Sequence, residues 1–91
     1  MQNGDLEAKM TMPDTGKFVW NNASAYLTYR ADLESGVFNI ENLDKVGYEF
    51  LQSLDVGQEI SLQKSNIENI PMVVISLERG ISDIRCQARA L

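Results

Sequence analysis

Residues 23–34 read Ala-Ser-Ala-Tyr-Leu-Thr-Tyr-Arg-Ala-Asp-Leu-Glu, and their alternation decides the fold class. Ala23, Ala25, Leu27, Tyr29, Ala31 and Leu33 fall on one side of an extended chain, with Ser24, Tyr26, Thr28, Arg30, Asp32 and Glu34 on the other. A period of two is the side-chain repeat of a β-strand, and an apolar face backed by a polar one is what an antiparallel sheet packed on one side requires. Downstream, Ser35-Gly36 is a turn signal and Val37 to Ile40 can return as a second strand. Upstream, Leu6, Ala8, Met10 and Met12 alternate with polar residues, which predicts a first strand. Pro13-Asp14-Thr15-Gly16 then has the residue order of a reversal into Lys17 to Trp20, and Asn21-Asn22 can interrupt or bulge the strand that follows.

Further along, the period changes. Leu43, Val46, Gly47, Phe50, Leu51 and Leu54 lie at i, i+3, i+4, i+7, i+8 and i+11, one stripe of an α-helix over about 43–54. Asn42 is the expected N-cap, Asp44 suits the positive end of the helix dipole, and Gly57 is the expected stop. Gly47 costs about 1 kcal/mol against alanine inside a helix, so its place on the apolar stripe implies close approach to a sheet. Ile60 and Leu62 alternate with polar neighbours as another strand, and residues 64–69 form a polar loop. Pro71 precedes the β-prone run Met72 to Leu77, which reads as a central strand covered on both faces. After the turn signal Glu78-Arg79-Gly80, Ile84, Cys86, Ala88 and Ala90 alternate with Arg85, Gln87 and Arg89, so a hairpin is expected there.

These elements predict a single α+β domain over residues 1–91, a curved, mainly antiparallel sheet of five or six strands packed on one helix. The alternative is a small β-barrel with one helix, since strands, a helix and more strands also follow the order of an OB-type barrel. Asp32-Leu33-Glu34-Ser35-Gly36-Val37-Phe38, followed by Leu54-Asp55-Val56-Gly57, is similar in loose pattern to the barrel of PilZ domains, which bind cyclic dinucleotide. The serine is displaced from that family's D-x-S-x-x-G spacing and no arginine pair precedes it, so a nucleotide role is not carried over. The tetrapeptide Asn39-Ile40-Glu41-Asn42 recurs at 66–69 without matching flanks, which is no repeat architecture.

Composition narrows the function classes. With 44% hydrophobic and 23% charged residues the chain has enough apolar surface for one core. The longest uninterrupted apolar stretch, Met72 to Ile75, is far short of the roughly 20 residues of a membrane-spanning helix. No basic and apolar leader follows Met1, and Cys86 is the one cysteine, so a soluble, cytoplasmic protein is expected. The formal net charge of −5 disfavours general binding to nucleic acid or to an anionic membrane. It is unevenly spread: three of the four arginines lie in the last thirteen residues.

The chain has no histidine, so the commonest general base and metal ligand is missing, and neither glycine-rich phosphate fingerprint occurs. No catalytic, metal or cofactor residues are assigned, and a non-enzymatic protein is expected. Asp32 and Glu34 have the spacing of a carboxylate pair along a strand face, but Arg30 beside them would keep both ionised. Arg85, Gln87 and Arg89 line one strand face and could recognise carboxylates or phosphates, or simply guard an edge. Tyr26, on the polar face of its strand, suits an interface, and Trp20 suits either a core plug or an interface anchor. The candidate partner contacts are therefore Trp20, Tyr26, Arg30, Arg85, Gln87 and Arg89. The expected function is a protein-interaction module, an adaptor, inhibitor or small regulator, with a protein partner or a second copy of the chain. The alternative is a small barrel binding a nucleotide or oligonucleotide, which needs Tyr26, Trp20 and the C-terminal arginines on one surface.

Overall fold

A computed structural model of the chain describes residues 10–65 and 67–91. Its strands are β1 (Asp14–Trp20), β2 (Ala23–Ala31), β3 (Val37–Asn42), β4 (Glu59–Gln63), β5 (Asn69–Arg79) and β6 (Ile84–Ala90), with helix α1 (Lys45–Gln52) between β3 and β4. They close into an antiparallel barrel in the order β1-β2-β3-β6-β5-β4. The small barrel with one helix is thus the form that the sheet and helix take. It differs from a five-stranded OB barrel in having six strands, every neighbouring pair antiparallel.

On β2, β4 and β6 the inward residues follow the period of two. Phe18, Leu27, Tyr29, Phe38, Ile40, Ile60, Leu62, Met72, Val74, Ile84, Cys86 and Ala88 fill the barrel, and Phe50, Leu51 and Leu54 join them from α1 and its C-terminal end. Trp20 and Tyr48 pack against this core as partly buried residues. Phe18 and Tyr29 meet edge to face at 5.8 Å, a favoured aromatic geometry. Gly47 permits the close approach of α1: a Cβ there would lie 2.8 Å from Leu27 Cδ2 and 3.2 Å from Asn42 Cβ.

Several local expectations are corrected. Asp14, Thr15 and Gly16 are part of β1, paired with Tyr29, Thr28 and Leu27, so the chain does not reverse there. The reversal is at Asn21-Asn22, where Asn21 takes a left-handed φ of 57° and Trp20 pairs with Ala23. Asparagine is among the few side chains that tolerate that region. Leu6 and Ala8 of the expected first strand lie outside the described residues; Met10 makes an isolated bridge to Asp32, and Met12 is exposed. Leu33 is exposed too, because β2 stops at Ala31 and Asp32 Oδ1 turns the chain by accepting from the backbone N–H of Glu34 and Ser35.

The helix is shorter than 43–54. Asp44, not Asn42, is its N-cap and accepts from Gly47 N–H at 2.9 Å. Asn42 instead accepts from Ile84 N–H at 2.9 Å, tying β3 to the start of β6. Leu43 and Val46 are exposed, so only the Gly47, Phe50, Leu51 and Leu54 part of the stripe packs inward. Gly57, with φ 96°, lies beyond the Ser53 C-cap and turns the chain toward β4. Met72 to Leu77 is not covered on both faces: Met72 and Val74 face the core while Val73 and Ile75 are half-buried. Ile75 is the extra residue of a bulge, since Val74 pairs with Ala88 and Ser76 with Gln87.

Candidate functional site

Strand register brings the polar face of β2 beside those of β3, β6 and β5. Across the barrel wall Arg30 pairs with Asn39, Asn39 with Gln87, and Gln87 with Ser76. One step along the strands, Thr28 pairs with Glu41, Glu41 with Arg85, and Arg85 with Glu78. The bulge at Ile75 makes this alignment possible. It shifts the parity of β5, so that Ser76 and Glu78, rather than Leu77, face outward with Gln87 and Arg85. These two rows border a groove of about 530 Å³, which Pro13 also lines.

Inside the groove the polar groups are held in place. Gln87 Nε2 donates to Asn39 Oδ1 at 2.8 Å. Arg30 Nε donates to the Thr11 carbonyl at 3.0 Å, and the Thr11 hydroxyl accepts from Ala31 N–H at 2.9 Å, so the segment before β1 orients the guanidinium. Arg85 Nε lies 3.1 Å from Glu41 Oε2 and 3.9 Å from Asp83 Oδ2. The charge of Arg85 is therefore offset by carboxylates of the same molecule, which reduces its attraction for an outside anion. Cys86 borders the groove, but its side chain is buried in the core and burial raises its thiol pKa to about 11.

Of the six candidate contacts, Arg30, Arg85 and Gln87 come together here. Arg89 is on the same face of β6, two residues beyond Gln87, between Val37 of β3 and Val73 of β5. Tyr26 is exposed on the outer face of β2 opposite Lys17, outside the groove. Trp20 sits at the β1–β2 turn and packs against the core. From Tyr26 to Ala31, the end of β2 that approaches the Arg89 row, the chain advances roughly 16–17 Å, at about 3.3 Å per residue. The aromatics and the C-terminal arginines do not form one pocket. Asp32 and Glu34 are in the turn after β2, where the Asp32 carboxylate is occupied by backbone amides. Among the described residues no cluster of three or more histidine, cysteine or carboxylate side chains could hold a metal ion. No helix among them is long and apolar enough to cross a membrane.

Sequence reasoning missed Asn39, Glu41, Ser76 and Glu78. Val37 to Ile40 is expected only as a short return strand, and the alignment of Asn39 and Glu41 with Gln87 and Arg85 depends on pairing between strands far apart in the chain. No family model, curated protein or solved structure matches this chain.

Proposed function

We propose that this protein is a non-enzymatic protein-interaction module, an adaptor, inhibitor or small regulator, that engages a protein partner through the β2-β3-β6-β5 groove. The observation that carries this reading is the convergence of Arg30, Asn39, Gln87 and Ser76 in one row, with the Arg30, Asn39 and Gln87 side chains already oriented by internal hydrogen bonds. Pre-oriented polar groups bind at lower entropic cost than free ones. The lack of histidine and of phosphate-binding glycine motifs supports a role without catalysis. Glu41 and Glu78 in the groove, together with the net charge of −5, favour protein over nucleic acid. A cytoplasmic setting accords with a lone buried thiol, and a second copy of the chain is a candidate partner.

The test compares material captured from the native source by wild type and by an Arg30→Ala/Gln87→Ala double variant with an unchanged thermal melt. A protein retained by wild type and lost by the variant is the expected result. Equal retention by both overturns the assignment of the groove. Loss of a co-purified nucleotide or oligonucleotide instead replaces it with the ligand-binding barrel.

A further inference from the structure

The groove is electrically polarised. Arg85 in its second row is compensated by Glu41 and Asp83. Among the described residues, Arg30 has its Nε on a backbone carbonyl and no carboxylate partner, while Glu78 at the far side makes no salt bridge, although it is paired in register with Arg85. Among the described residues, Arg30 on β2 and Glu78 on β5 are thus in no salt bridge and stand at two sides of the groove, separated by β3 and β6. Along the barrel wall, three strand spacings of about 4.8 Å together with the one-row offset separate their backbones by roughly 16 Å. Between them lies the Asn39–Gln87 amide pair. Both N–H of the Asn39 amide, the second N–H of the Gln87 amide and the Gln87 carbonyl oxygen are left by that bond, enough to accept from and donate to a peptide main chain.

We infer that the groove takes an extended peptide segment carrying one carboxylate and one cation four residues apart, with the carboxylate on Arg30 and the cation on Glu78. An extended chain advances about 3.3 Å per residue and alternates its side chains between two faces, so four residues span about 13 Å, keep both charges on the groove side and bring them within side-chain reach of Arg30 and Glu78. The opposed ends also fix the direction in which the segment lies. A uniformly acidic segment would meet Glu78 and Glu41, and a uniformly basic one would meet Arg30, so each is disfavoured by like charge. This inference rests on the groove being the contact surface and specifies what it contacts.

The probe is a labelled peptide with one glutamate and one lysine four positions apart in a serine and threonine background, compared with the same peptide carrying glutamine at both positions. Binding is followed by anisotropy and by the side-chain amide resonances of Asn39 and Gln87, at low and moderate salt. The charged peptide is expected to shift both amides at millimolar concentration or below and to weaken as salt rises. Arg30→Glu or Glu78→Lys alone should weaken it about five-fold, the scale of replacing an exposed attraction by a repulsion. The double reversal should restore binding, because the segment can then lie in the opposite direction. Equal binding of charged and uncharged peptides, or no recovery in the double reversal, overturns the inference. If the peptide fails while Arg30→Ala/Gln87→Ala still loses a natural protein partner, the groove remains the contact surface and only the class of segment is wrong.

Discussion

At the scale of single residues, two side chains report on the core from different directions. Phe50 projects from α1 into the barrel end and is buried with Leu51 and Leu54. Truncating a buried aromatic ring removes its transfer free energy and leaves a cavity, so Phe50→Ala should cost about 3–5 kcal/mol. Urea melts on the variant measure this directly, and a change below about 1 kcal/mol would mean that α1 is not packed as described. Cys86 is fully enclosed, and burial raises its thiol from the ordinary 9.0 to about 11. The folded state therefore holds a proton that the unfolded chain releases above pH 9. Its stability contribution is whole below that pH and declines as pH rises toward 11, by on the order of 3 kcal/mol. Tyr29 adds in the same sense, its pKa raised by burial and then by the Asp14 carboxylate. Melts between pH 8 and pH 11 should show falling stability, and Cys86→Ala should flatten part of the fall. A thiol reagent should label wild type only as fast as the protein opens, whereas prompt labelling would place Cys86 on the outer face of β6.

At the scale of elements, α1 depends on a cap that the apolar stripe does not reveal. Asp44 satisfies the N–H of Gly47, so Asp44→Ala should destabilise by about 1 kcal/mol, while Asn42→Ala acts elsewhere by freeing Ile84 N–H. Paired urea melts and the helical far-ultraviolet signal distinguish the two: only Asp44→Ala should loosen the helix itself. The same pair of residues explains what was legible. Both are good capping residues, and the choice between them was made by β3, which continues through Asn42 and takes its side chain for a long-range bond. Alternation identified the inward faces of β2, β4 and β6 because nothing interrupts it. On β5 the run Met72 to Leu77 offers no alternation and reads as covered on both faces, while the bulge at Ile75 reverses parity without any glycine or proline beside it to mark it. Alternation overran at Leu33, where the Asp32 turn ends the strand. For the groove, Arg30, Arg85 and Gln87 were recognisable from their strand faces. Their neighbours Asn39 and Ser76 were not, because they become neighbours only through strand pairing and that bulge.

At the scale of the whole molecule, the barrel is two three-stranded meanders, β1-β2-β3 and β4-β5-β6, joined along two seams. The β3–β6 seam has five paired residues, from Val37↔Arg89 to Glu41↔Arg85, and Asn42 and Gln87 reinforce it with side-chain bonds. The β1–β4 seam has three, Lys17↔Gln63, Phe18↔Leu62 and Val19↔Ser61. Closing a barrel removes the exposed edges that invite edge-to-edge association, and here that closure rests on the shorter seam. Phe18 and Leu62 at its centre are fully buried, so separation of the strands must wet the core, but fewer backbone bonds oppose it than at β3–β6. Partial openings of a fold follow such differences, with the least supported boundary exchanging first. Native-state hydrogen exchange should therefore show the amides that bond across β1–β4 exchanging through a lower-energy opening than those across β3–β6. The two sets should converge on global unfolding only as denaturant is added. Leu62→Ala should widen the gap between them, since it weakens the β1–β4 contact while leaving the β3–β6 register intact. If both seams exchange at one free energy in wild type and in Leu62→Ala, the meanders are not separable units and the barrel opens only as a whole.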